Sequence, residues 1–178
     1  MIQLAKAFSQ LKDEKYHNSY IAKVNYQRYA ENRTTVPQVA VEKETSRFQV
    51  LSAAVYDAKQ QLIAKLSMTL FLHVTIQSLD EKSGVPDKAV AWKTFHKREI
   101  YDFSQRVGDI NTIHLTERPV VQGLLILETI AQYFTAFREI EIKFMKPIYA
   151  EDPVYLESTE TGMIGYSDNA KVFQAIIK

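Results

Sequence analysis

Residues 121–138 form a stretch that is hydrophobic around almost its whole helical circumference. At helical spacing Glu128, Gln132, Thr135 and Glu139 fall on one narrow stripe, while Leu124, Leu125, Ile126, Leu127, Ile130, Ala131, Tyr133, Phe134 and Phe137 fill the remainder. Such a helix cannot lie on a surface, because most of its apolar side chains would face water. It needs cover on nearly every side. Gln122 and Glu128 interrupt the run, which is too short to span a bilayer, so the cover has to be protein. A curled antiparallel sheet wrapped around one central helix supplies that much, and so does the core of some other α+β protein.

The strands for such a sheet are legible. Leu62, Ala64, Leu66, Met68, Leu70, Leu72 and Val74 alternate with mostly polar partners; Phe48–Tyr56 is rich in strand formers, and Asp57-Ala-Lys-Gln-Gln61 joins the two. This predicts an antiparallel hairpin with one buried face. Upstream, Ile2, Leu4, Ala5, Phe8 and Leu11 have roughly helical spacing, and residues 20–26 and 39–41 read as strands. The second half repeats the order, with a helix, strands at residues 140–144 and 154–157, and a last pair through Ser167-Asp-Asn-Ala170 into residues 171–178. Tyr29-Ala-Glu-Asn32 matches Tyr149-Ala-Glu-Asp152, and Tyr56-Asp-Ala-Lys59 echoes Asp168-Asn-Ala-Lys171, in the same order. The pattern predicts a duplicated α+β chain, with halves at 1–79 and 89–178 and a linker at 80–88 carrying Gly84 and Pro86.

Composition narrows the function classes. With 22 Lys and Arg against 21 Asp and Glu in 178 residues, no global field exists to recruit nucleic acid or anionic lipid. The start, Met1-Ile-Gln-Leu-Ala-Lys6, lacks a basic region leading into an apolar core. A soluble, cytoplasmic protein with no nucleic-acid partner and no membrane insertion is expected. The absence of cysteine excludes disulfides, thiolate metal sites and a cysteine nucleophile. His17, His73 and His96 are isolated, so no metal site is expected, and His73 falls on the polar side of its strand. No Gly-x-Ser-x-Gly surrounds Ser104, and the five glycines form no phosphate-cradling loop. Trp92 and the ten tyrosines read as core and interface residues.

The chemistry concentrates in residues 101–123. Asp109 and His114 are five residues apart in a turn led by Gly108 and containing Asn111, and the segment reads as a catalytic loop. Taken singly, Asp109 suits an ordinary turn and His114 an ordinary core. Asn111 can hydrogen-bond and orient the imidazole, and Pro119 and Gly123 lead into a helix whose first N–H groups lack intrahelical partners. Proton-transfer groups beside an oxyanion site suit chemistry next to a carbonyl.

The pattern Phe103-x-x-x-Val107-Gly108-Asp109-x-Asn111-Thr112-Ile113-His114, then Arg118-Pro119-Val120-Val121-Gln122-Gly123-Leu124-Leu125, resembles the signature of the MaoC-like hydratases and dehydratases. These have the hot-dog fold and act on acyl thioesters. The resemblance implies a metal-independent hydro-lyase that adds water to trans-2-enoyl thioesters or removes it from (R)-3-hydroxyacyl thioesters. The substrate would be a thioester of coenzyme A or of acyl carrier protein, with no other cofactor. It makes Asp109 and His114 catalytic and gives the Gly123 N–H the thioester carbonyl, with Asn111, Gln122 and Gly108 completing the substrate-binding set. Together with the duplication it implies a double hot-dog, two curled antiparallel sheets each wrapped on a central helix, acting as a homodimer or as a pseudo-dimer within one chain. The first half, lacking the loop, would supply part of the acyl pocket. Val107 stands where the family usually has Ser and Thr112 where it has Pro, and only Leu115 and Thr116 separate His114 from Glu117, where the family inserts a longer segment. A hot-dog acyl-thioesterase and a non-catalytic acyl-binding or assembly partner are the rival functions. Lys93, Lys97 and Arg98 form a basic cluster open to two uses, a solvated surface or a contact for a coenzyme A phosphate.

Overall fold

The computed structural model describes residues 1–11, 13–30, 36–72, 84–134 and 136–178. His73, Val74, Thr135, Glu31 and Asn32, and residues 80–83 of the expected linker, lie outside them. The first half contributes α1 (Ile2–Ala7), β1 (Tyr20–Arg28), β2 (Gln38–Glu44), β3 (Phe48–Tyr56) and β4 (Leu62–Phe71). The second contributes β5 (Val90–Thr94), α2 (Lys97–Val107), α3 (Gly123–Tyr133), β6 (Glu139–Phe144), β7 (Pro153–Thr159), β8 (Gly162–Ser167) and β9 (Ala170–Ile177).

The nine strands among the described residues belong to one antiparallel sheet, in the order β2-β3-β4-β1-β6-β9-β8-β7-β5. Where two sheets were expected, β1 and β6 pair and make them continuous, with Val24 opposite Ile142 and Tyr26 opposite Ile140. The reason is physical: without this pairing each strand would expose a row of unsatisfied N–H and C=O groups beside side chains that are fully buried. A single apolar core runs through both halves, from Val24 and Leu66 to Ile142 and Phe173.

Tight turns close the two hairpins that the repeats suggested. The Asp57 carboxylate accepts from the N–H groups of Lys59 and Gln61, and Gln60 turns through φ 62°. In the second hairpin Asp168 and Asn169 take φ 49° and 56°, the left-handed region that short polar side chains tolerate.

Three helical readings change. Residues 97–107, taken as basic surface and loop, are the helix α2, whose buried residues Ile100, Phe103, Ser104 and Val107 recur at three- and four-residue spacing. The central helix α3 stops at Tyr133, not Arg138; Phe134 is already extended, and Phe137 packs edge-on against Tyr26 of β1. Those aromatics are apolar because they cover the sheet, which extended the helical pattern beyond the helix. Glu128, placed on a polar stripe, is buried at 8% exposure and ion-pairs with Arg106 of α2. Burial of Leu125, Ile126, Leu127 and Ile130 anchors α3, each side chain contributing about 1.5–3 kcal/mol relative to exposure. The helix packs against β1 and β6, at the centre of the sheet. No described helix is long and apolar enough to cross a membrane.

Candidate active site

The loop after α2 owes its shape to one glycine. Gly108 caps the helix with φ 71° and ψ 33°, a conformation without steric cost only for glycine, and the N–H groups of Gly108 and Asp109 both donate to the Ser104 carbonyl. This reverses the chain so that Asp109 leaves the helix end at once. Its Oδ1 accepts from the Asn111 N–H at 3.0 Å. A single 3₁₀ turn, Thr112–His114, follows and delivers His114 into the interior, where it is 7% exposed.

There the imidazole is fixed from behind. His114 Nδ1 lies 2.6 Å from the Val120 carbonyl oxygen, which can only accept, so Nδ1 carries the proton. Nε2 is therefore bare and lies 3.5 Å from Asp109 Oδ2. Burial pushes the imidazole pKa below its ordinary value, outweighing the Asp109 charge and the Val120 hydrogen bond, which both act to raise it. The pair is accordingly a neutral imidazole beside a carboxylate, two acceptors facing one position that a water could occupy by donating both hydrogens.

Asn111 departs from the orienting role expected of it. Its Oδ1 accepts from the Ile113 N–H and its Nδ2 donates to the Ser19 carbonyl, so it shapes the loop and does not hold the imidazole. Val120 holds the imidazole instead, a main-chain partner that no residue pattern announces.

The short connection after His114 is clamped along its length. Val120 N–H donates to the Ile113 carbonyl, Val121 N–H to Ile148, and Ala150 N–H to Pro119. Arg118 binds Asp152 at 2.9 Å and covers the Tyr149 ring. The chain then enters α3 at Gly123, whose N–H and that of Leu124 precede the first intrahelical bonds. Gln122 is 1% exposed, and its amide donates to the Ile100 carbonyl and to Ser104 Oγ. It ties α2 to the start of α3.

Gly108, Asp109, Asn111, His114, Gln122 and Gly123 all line one cavity of about 500 Å³. The opposite wall comes from the first half, including Phe8, Leu11, Tyr16, Ile21, Leu51 and Met68. Ser19, Tyr20 and Phe144 also reach it; the sequence pattern marks most of these wall residues as helix or strand positions without assigning any of them to the site. The basic cluster stands apart. Lys93, Lys97 and Arg98 do not line the cavity; Lys93 pairs with Glu99 and Arg98 approaches Asp102. No group of three or more His, Asp or Glu side chains suited to a metal ion occurs among the described residues.

The architecture has solved counterparts. A MaoC-like dehydratase shares it with a TM-score of 0.65 at 11% identity, over 98% of this chain and 82% of the other. A second, from Phytophthora capsici, gives 0.65 at 13% identity, over 93% and 70%. This chain has the hot-dog fold of the MaoC-like dehydratases. An acyl-ACP thioesterase from Bacteroides thetaiotaomicron is also similar, with a TM-score of 0.58 at 14% identity over 89% of this chain and 75% of that one. At such identities the likeness is one of fold. No protein-family model and no curated protein matches the chain by sequence.

Proposed function

We propose that this chain is a hydro-lyase that hydrates trans-2-enoyl thioesters and, in reverse, dehydrates (R)-3-hydroxyacyl thioesters. The observation that carries the reading is the bare Nε2 of His114, 3.5 Å from the Asp109 carboxylate on the wall of a largely apolar cavity. A water donating to both acceptors is held with its lone pairs free. As its oxygen bonds to C3, one of the two groups takes a proton, and a proton is returned to C2, so that one water adds across the double bond. The negative charge that develops on the thioester oxygen meets the Gly123 N–H and the positive end of α3. The apolar first-half wall receives the acyl chain, and the thioester is carried by coenzyme A or acyl carrier protein.

We further infer that the chain is a double hot-dog, a pseudo-dimer of halves 1–79 and 89–178 joined by 80–88. The strand order supports this: outward from the junction it runs β1-β4-β3-β2 on one side and β6-β9-β8-β7 on the other. These are equivalent strands in equivalent order, with β5 added at the far edge.

The test is a panel of trans-2-enoyl thioesters, followed both by loss of enoyl absorbance and by release of free thiol. Hydration without thiol release is expected. His114→Ala and Asp109→Asn should each lower turnover by about 10²- to 10⁴-fold while circular dichroism stays that of the parent. Thiol release with no hydration would replace this reading with the thioesterase one, for which the similarity to an acyl-ACP thioesterase speaks. Unchanged hydration in both variants would remove the mechanism.

A further inference from the structure

The catalytic loop is held in place by a segment nearly a hundred residues away. The Ser19 carbonyl accepts from Asn111 Nδ2 at 2.8 Å, and the His17 carbonyl accepts from both the N–H and the Oγ1 of Thr112, at 3.1 and 2.9 Å. Thr112 Oγ1 also lies 3.1 Å from the Asn18 side-chain oxygen. Three consecutive residues, 17–19, thus engage the two residues at the tip of the loop. The segment is itself anchored: Ser19 Oγ donates to the Tyr16 carbonyl, and the Tyr16 hydroxyl donates to the fully buried Gln49 of β3.

The geometry of the loop gives these bonds a purpose. Asp109 is fixed by the end of α2 and His114 by the Val120 carbonyl, but what joins them is one 3₁₀ turn with a weak 3.4 Å side-chain cap. A lone turn of that kind has little stability of its own, so contacts from outside the loop set its position. We propose that residues 17–19 are a strap that sets the separation of Asp109 and His114, with Thr112 and Asn18 as positioning residues for that pair. The proposal rests on reading Asp109 and His114 as the acid–base pair. Ser19 of the strap and its neighbours Tyr16, Tyr20 and Ile21 line the same cavity, so the tether of the loop runs directly into the cavity wall.

The contacts lie at an exposed edge, since Thr112 is exposed, and their loss leaves the core intact. Thr112→Val keeps the N–H bond and deletes the hydroxyl, Thr112→Ser restores it, and Asn18→Ala removes the second partner. Small displacements of reacting groups cost rate steeply, so kcat on the best enoyl thioester should fall about tenfold in Thr112→Val, with KM within about twofold. Tm should drop by no more than about 4 °C, and Thr112→Ser should recover most of the rate. The readout independent of turnover is the NMR titration of the His114 imidazole, assigned with His114→Asn. Asp109 is the charged group that bears on this ring. A looser pair gives up part of that attraction, so the midpoint should move lower in Thr112→Val and return in Thr112→Ser. Parental kcat together with a parental midpoint in Thr112→Val and Asn18→Ala would overturn the strap. So would a loss of rate that tracks loss of folded protein and that serine does not restore. If the parent hydrates no thioester, the proposed activity fails, while the His114 midpoint still decides on the strap.

Discussion

His114 is neutral because of where it sits, and this gives the fold a pH dependence with a definite sign. Its pKa in the folded chain is depressed below the ordinary 6.5 of the unfolded chain, chiefly by burial. Above about 6.5 neither state is protonated and the stability is fully present. As the pH falls below that value the unfolded chain takes up a proton that the folded chain refuses, so stability is lost. Tm should decline between about pH 7 and pH 5, and His114→Asn, which cannot protonate, should flatten part of the decline. Gly123 gives a second prediction at this scale. A Cβ there would stand 3.0 Å from the Phe144 ring and 3.3 Å from Ile21 Cδ1, and both side chains line the cavity. Gly123→Ala should therefore press the ring toward the substrate and lower turnover about tenfold with little change in Tm, and Gly123→Val should do more. A large drop in Tm with normal turnover per folded molecule would show that the glycine serves helix entry alone.

Among the elements, the β8–β9 hairpin has the least tolerance. Gly165 lies under Phe173, and a Cβ built on it would be 2.2 Å from the ring. Phe173 is fully buried and tilted against Phe144 and Trp92, so the ring has nowhere to retreat. Gly165→Ala should cost about 1–3 kcal/mol by denaturant titration, and an unchanged midpoint would mean that the ring can move after all. The same hairpin shows what a pattern conveys at this scale. Its turn residues, Asp168 and Asn169, announced themselves by type, whereas the need for a glycine at 165 depends on a ring across the strand pair. α2 was hidden for a related reason. Its buried stripe of Ile100, Phe103 and Val107 is three residues wide and sits among five charged positions, so charge masked the period.

At the level of the whole molecule, the proposed catalytic loop and the first half of the chain line one cavity. Residues 1–79 contain no Gly-Asp-x-Asn-x-x-His pattern, while α1, β1, β3 and β4 contribute wall to the cavity that Asp109 and His114 line. A non-hydrolysable enoyl-thioester analogue should titrate to one site per chain by calorimetry. Two equivalent sites would contradict the assignment of the first half to wall and strap.

The chain's periodicities sufficed for the two hairpins, the central helix and the grouping of Gly108, Asp109, His114 and Gly123 in one stretch, because each depends on neighbours within about fifteen residues. Local spacing carries that information. The joining of two expected sheets into one, the pairing of Glu128 with Arg106, the Val120 carbonyl behind His114 and the grip of residues 17–19 on Asn111 and Thr112 were decided only on folding. Each of these brings together groups whose partners are main-chain atoms or lie on another element. A carbonyl is the same in every residue, so nothing in the sequence marks which one will hold a proton in place.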